Sequence, residues 1–168
     1  GRLDGWVHAV GSILLKPFSA TSEEDWAKQL DRNAGSAFRA LHAALGPMRK
    51  QRGGSIVLFG SAAASVGLPN HAAIAAAKAA VVGLARAAAM DLARYGIRVN
   101  SVMPGFIWGP SVKGYLEARA KREGRTYEDV HAEVTSVIPL GRIPDSAEIS
   151  GAVLFFASDL ASCITGQS

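Results

Sequence analysis

The sequence predicts an α/β fold, a parallel sheet with helices on both faces, from two observations. Three short apolar runs each end at glycine or Pro-Gly, and the two stretches between them carry helical start and stop signals. The first run, Gly5-Trp6-Val7-His8-Ala9-Val10, is closed by Gly11. Ser22 followed by Glu23, Glu24 and Asp25 places a hydroxyl cap ahead of acidic residues, which suits the positive end of a helix, and the helical pattern runs on towards Arg52. After Gly53-Gly54 the second run, Ser55-Ile56-Val57-Leu58-Phe59-Gly60, is the cleanest strand signal in the chain. Asn70 is the expected cap of a long alanine-rich helix reaching Tyr95, and Gly96 stands where a left-handed residue ends such a helix. The third run, Ile97 to Met103, is closed by Pro104-Gly105. All three read as buried parallel strands, because strands joined by helical crossovers are covered on both faces.

Composition narrows the function classes. The chain has 168 residues, 49% hydrophobic and 19% charged, with a mean hydropathy of +0.16. This is the profile of a single domain with a real core. The lone Cys163 cannot form an internal disulfide, so a disulfide-stapled scaffold is excluded and a reducing cytoplasm is the expected location. The apolar stretches are read as interrupted by charges or prolines short of the roughly 20 residues a membrane span needs, so no membrane partner is expected. A net charge of +4 and a pI near 9.5 permit phosphate-bearing partners. The densest basic run, Arg49-Lys50-Gln51-Arg52, has no interleaved aromatics and reads as a solvated helix end, so no nucleic-acid partner is expected, and no metal-ligand set either.

The centre of the long helix, with Val81, Val82, Gly83 and Leu84 among alanines, predicts burial of most of its circumference. Either the helix is covered within its own chain, or Ala80, Gly83 and Ala87 form a subunit contact. Beyond Pro104-Gly105 an irregular segment from Phe106 to Pro144 is expected, with two short helical stretches. Thr126-Tyr127-Glu128-Asp129 marks one helix start, and Asp145 to Glu148 another with capping-box spacing. Ligands of open α/β sheets sit beyond the carboxyl ends of the strands, where Trp108, Tyr115 and Leu116 offer an apolar wall.

Taken in order, these residues resemble the short-chain dehydrogenase/reductase family. Gly1-Arg2-Leu3-Asp4 before the first run, Asn33 with Gly35 and Phe38, and Gly54 to Val57 leading to Ser61 are similar to that family's motifs. So are Lys78, the Gly96 to Gly105 stretch, Pro139-Leu140-Gly141-Arg142 and Ile164-Thr165-Gly166-Gln167. Each is weak alone, but together they cover essentially the whole chain. The resemblance implies a Rossmann-like sheet and hydride transfer between a carbonyl and an alcohol with NAD or NADP. It also implies a small-molecule substrate and a homodimer or homotetramer. By resemblance the catalytic serine maps to Ser61, the lysine to Lys78 and the asparagine to Asn33. Gly11, Lys78, Pro104, Gly105 and Ile107 map to cofactor-binding positions.

Several departures accompany the matches. The family's tyrosine, four residues before the lysine, is Ile74, which has no proton to give. His71, three residues before Ile74 and seven before Lys78, is a candidate acid on the same helical face, or else a partly solvated first-turn residue. The Asn-Asn-Ala-Gly pattern reads His8-Ala9-Val10-Gly11, and Gly109 replaces a threonine that contacts nicotinamide in the family. No Gly-rich phosphate turn stands in residues 1–168, and the family's last strand would follow Ser168. The expectation is therefore a single partial domain, 1–168, a segment of a longer chain with an open edge on its first strand. Three functions fit: an oxidoreductase with altered proton transfer, a catalytically silent structural or regulatory relative, or a binder of small molecules without turnover.

Overall fold

A computed structural model describes all of residues 1–168. The chain forms two compact units, Gly1–Gly105 with Ala152–Ser168, and Phe106–Gly151. In the first unit the three apolar runs become β1 (Gly5–His8), β2 (Gly54–Phe59) and β3 (Ile97–Val102), a parallel sheet in the order β1-β2-β3. The register sets Trp6 opposite Ile56 and Ile56 opposite Val99, a row that faces one way because strand side chains alternate.

Helices cover that face. Ser22 and Asp25 form a reciprocal capping box, which starts α1 (Glu23–Leu30). One π turn, Asp31–Gly35, then leads into α2 (Ser36–Gln51), so the single helical pattern is locally widened around Asn33. Leu41, Ala44 and Met48 of α2 pack with Val81, Ala85 and Ala88 of α3 (Ala72–Leu92) against Ile56, Leu58, Ile97 and Val99. On the opposite face, Ser55 Oγ and Arg98 Nη1 both donate to the carbonyl of Phe156 at 2.8 Å, and Asn100 Nδ2 donates to Ile164 O at 2.9 Å. The carboxyl end of α6 (Ser146–Ala157) and the turn after it therefore close the second layer. The backbone N–H of Gly166 donates to Val99 O, and that of Ser101 to Gln167 O, along the free edge of β3.

Four expectations need correction. β1 is not a buried strand: Gly5 and Val7 are exposed and only His8 is buried, because nothing pairs with its outer edge. Asn70 does not cap the long helix; it sits at φ 64°, and α3 begins after His71, whose carbonyl accepts from Ala75 N. That helix is buried on one side only, since Ala80, Gly83 and Ala87 are exposed. Continued by a tight turn to Tyr95, it is also long and apolar enough to cross a membrane by composition, with a mean hydropathy of 1.5, because Lys78 and Arg86 are too few to lower it. Its buried residues fill the sheet core instead.

The second unit is more regular than the sequence suggests. Pro110 opens α4 (Pro110–Glu123), a position where its missing N–H costs nothing, and Gly124 ends it at φ 62°. Thr126 caps α5 (Tyr127–Ser136), as its sequence predicts. Leu116, Ala120, Val130 and Val134 form a small core between these helices. Arg119 bridges Glu123 at 2.8 Å and Glu133 at 2.5 Å across them.

The turn from α3 into β3 depends on a single glycine. Gly96 has φ 70°, and a Cβ there would lie 2.9 Å from the carbonyl oxygen of Arg52. Gly96→Ala is expected to cost about 2 kcal/mol or more from left-handed strain and that overlap, read as a lowered midpoint in urea denaturation.

Candidate functional site

The carboxyl ends of β1 and β2 hold a cluster built on one close approach. A Cβ on Gly11 would lie 2.6 Å from Asn33 Oδ1 and 3.3 Å from Lys78 Nζ, so only glycine lets both polar groups reach this backbone. The π turn places Asn33 here, and its amide is spent on structure. Nδ2 donates to Gln29 O at 2.9 Å and Ser12 O at 3.0 Å, while Oδ1 accepts from Ser12 N at 3.3 Å. Asn33 thus clamps the segment that leaves β1.

Lys78 reaches the same point from the second turn of α3. Its Nζ donates to Phe59 O at 2.8 Å, at the carboxyl end of β2, and no carboxylate pairs with it. Burial pushes its pKa below the ordinary lysine value, since an ammonium loses hydration there. Two of its three N–H donors remain free for a ligand. Ser61 follows β2 after Gly60 in extended conformation, and its Oγ accepts from Ala63 N at 3.2 Å, leaving its own hydrogen to donate elsewhere.

The remaining expected residues are placed as follows. Ile74 is 3% exposed, one turn before Lys78 and part of the hydrophobic interior. The His71 ring stands with Nδ1 2.6 Å from Pro69 O, engaged with its own loop. Pro104 O accepts from Ala62 N at 2.9 Å, tying the segment after β3 to the one beginning at Ser61, and Gly105 has open space around its Cα. Ile107 lies in the second unit and is half-buried. In that unit Trp108 is half in solvent and meets the edge of the His131 ring, and Tyr115 packs against the unit's core. Leu116 is no part of an open wall: it is fully buried in that core.

Two residues near the cluster go unmarked as candidates by the sequence. His8, the last residue of β1, is buried with Nε2 3.0 Å from Ser36 Oγ. Burial first, and the charge of Lys78 second, lower its pKa. Gln29, also buried, backs Asn33 from the preceding helical turn. The only available signal was a polar residue inside an apolar run, which identifies His8 but not Gln29. Together the cluster offers a desolvated ammonium, a free hydroxyl hydrogen and a small gap in the backbone. It can hold hydroxyl groups and stabilise negative charge on an oxygen, but position 74 has no proton to deliver.

Comparison with known proteins shows which family and fold the chain resembles. A family model described as Enoyl-(Acyl carrier protein) reductase matches residues 1–168. A cyclopentanol dehydrogenase of a Comamonas species is 39% identical over 166 residues, covering 99% of this chain and 63% of that protein. An actinorhodin polyketide ketoreductase solved with NADPH superposes with a TM-score of 0.93 at 27% identity, over 99% of this chain and 65% of that one. An NAD+-bound xylitol dehydrogenase does so with a TM-score of 0.91 at 31% identity, over 99% and 66%. The chain therefore spans about 63% of the length of the curated relatives it matches.

The lowered pKa of His8 makes stability pH-dependent in a defined direction. The unfolded chain takes up a proton near pH 6.5, before the folded one does, so stability is complete above that value and falls as pH drops through it. The urea midpoint is expected to decline as pH drops below about 6.5, and His8→Asn is expected to flatten this limb.

Proposed function

The chain belongs to the short-chain dehydrogenase/reductase family, and from that premise we propose that it carries the catalytic portion of an NAD(P)-dependent oxidoreductase interconverting a carbonyl and an alcohol. The convergence of Asn33 and Lys78 on Gly11, beside Ser61 at the end of β2, carries this reading. The residues present fit the nicotinamide-ribose end of such a cofactor. Gly11 leaves room that a side chain would fill, and Lys78 keeps two donors for ribose hydroxyls. When bound, the cofactor supplies the hydride.

The chain's own residues then have separate roles. Ser61 donates its hydroxyl hydrogen to the substrate oxygen. The Lys78 ammonium stabilises negative charge developing on that oxygen, with greater effect because the site is partly desolvated. Asn33 holds the Gly11–Ser12 backbone in place. Solvent water delivers the proton in place of a side chain at position 74. Side-chain acid catalysis is typically worth ~10² to 10⁴ in rate, so turnover is expected to be slow by that margin. The exposed Ala80, Gly83 and Ala87 on α3 supply a close-packing face for a homodimer or homotetramer.

Burial of Ile74 favours a second reading, a catalytically silent relative that keeps fold and assembly surface. Calorimetric titration with NADH and NADPH, followed by turnover against cyclic and acyclic ketones, separates the two. The oxidoreductase reading expects cofactor binding that Lys78→Met weakens at least tenfold. It also expects Ile74→Tyr, once circular dichroism shows it folded, to raise kcat by ~10² or more. Cofactor binding without turnover in either form replaces it with the silent subunit.

A further inference from the structure

The opposite ends of the same strands enclose a second concavity. A cavity of about 840 Å³ opens within the first unit at the amino ends of β1, β2 and β3, bordered by Asp4, Gly54 and Ile97. Ser61, Asn33 and Lys78 gather at the carboxyl ends instead, so the two places share strands but no residues. The walls carry three guanidinium groups, Arg2, Arg52 and Arg98, against two carboxylates, Asp4 and Asp159. Arg2 is matched by Asp4 at 2.6 Å, which leaves Arg52 and Arg98 facing one carboxylate.

Arg98 is held rigidly. Nη1 donates to Phe156 O at 2.8 Å and Nη2 to Ser158 O at 2.9 Å, so the guanidinium is fixed at the cavity with further N–H donors unspent. Arg52 is held at a cost to the backbone. It adopts φ 58° and ψ 50° at the carboxyl end of α2, the left-handed conformation that usually selects glycine, although Gly53 is its neighbour. A non-glycine residue kept in such a conformation beside a cavity is the kind of strain that accompanies binding sites. Its Nη2 makes one contact of 3.2 Å, to Arg94 O, and Arg52 takes part in no ion pair. Outside the cavity the surface stays basic, with Arg49 and Arg94 stacked over the Tyr95 ring at 4.4 and 5.0 Å.

We propose that this cavity binds a small oligoanion, with Arg52 and Arg98 gripping its phosphate or carboxylate oxygens. Planar guanidinium forks match both kinds of oxyanion, and the volume suits a ligand bearing more than one such group. A basic rim raises the local concentration of an anion before it enters.

Titration calorimetry of the whole chain with pyrophosphate and with citrate at low salt tests the site, using Arg52→Gly as the principal variant. Glycine accepts the left-handed backbone, so this variant is expected to keep its fold and thermal midpoint while losing the side chain. The expected result is binding of at least one anion with a Kd below about 1 mM, weakened tenfold or more in Arg52→Gly. Arg98→Lys, which keeps the charge and loses the fork, is expected to weaken it likewise. Shifts of the Gly96 and Ser162 amide signals on titration would place the ligand in this cavity. Preference for pyrophosphate assigns the ligand to phosphate esters, and preference for citrate to polycarboxylates; either supports the site. Equal affinity in wild type and Arg52→Gly, or no binding of either anion, overturns it.

Discussion

Burial of β2 on both faces is the constraint on which the first unit depends. Ile56, Val57 and Leu58 have no solvent exposure, and each such side chain contributes roughly 1.5 to 3 kcal/mol when removed from water. To reach that state the strand needs a neighbour on each edge and a layer on each face. β1 and β3 supply the edges, α2 and α3 one layer, and the end of α6 with its following turn the other. The polar groups facing that last layer, Ser55, Arg98 and Asn100, are tolerated because each finds a backbone carbonyl. The same strand then determines where chemistry can occur, since its carboxyl end delivers Ser61 and the carbonyl of Phe59 that anchors Lys78.

At that end, packing and electrostatics act against each other. Lys78 is partly desolvated without a carboxylate partner, which raises the free energy of its charged form. Its one side-chain hydrogen bond, to the carbonyl of Phe59, offsets part of that penalty. His8 feels the same charge from beneath the cluster and stays neutral, hydrogen-bonded to Ser36. Ile74, one turn before Lys78, is packed into the interior and carries no ionisable group. An isoleucine at that position suits the scaffold, because it contributes to the hydrophobic interior.

The second unit follows a different balance. Its apolar core is four buried residues with Phe106, Val112, Tyr115, Tyr127 and Ile143 packed against them. Charged groups reinforce it: Arg119 and Arg125 both reach Glu123 and Glu133, and the carboxylates are held below their ordinary pKa by these partners. Arg142 likewise holds Glu148 at about 2, at the start of α6. Exposed pairs of this sort are individually small and salt-sensitive, so the network shapes local geometry more than it adds stability.

Much of this molecule is legible in its residues. Local rules decide where elements begin and end: Ser22 and Thr126 cap helices, Gly96 and Gly124 end them, and short apolar runs closed by Gly60 and by Pro104-Gly105 identify strands. The resemblance that names Ser61, Asn33 and Lys78 is likewise a matter of order and spacing in one dimension. What needed the tertiary structure is of another kind. That Asn33 sits in a π turn, that Gly11 meets two polar groups 22 and 67 positions away and that Arg52 and Arg98 share a cavity all follow from long-range packing. Sequence determines propensity and periodicity because those are properties of neighbouring residues. Proximity between distant side chains, and the burial that shifts their chemistry, exists only once the sheet and its layers have closed.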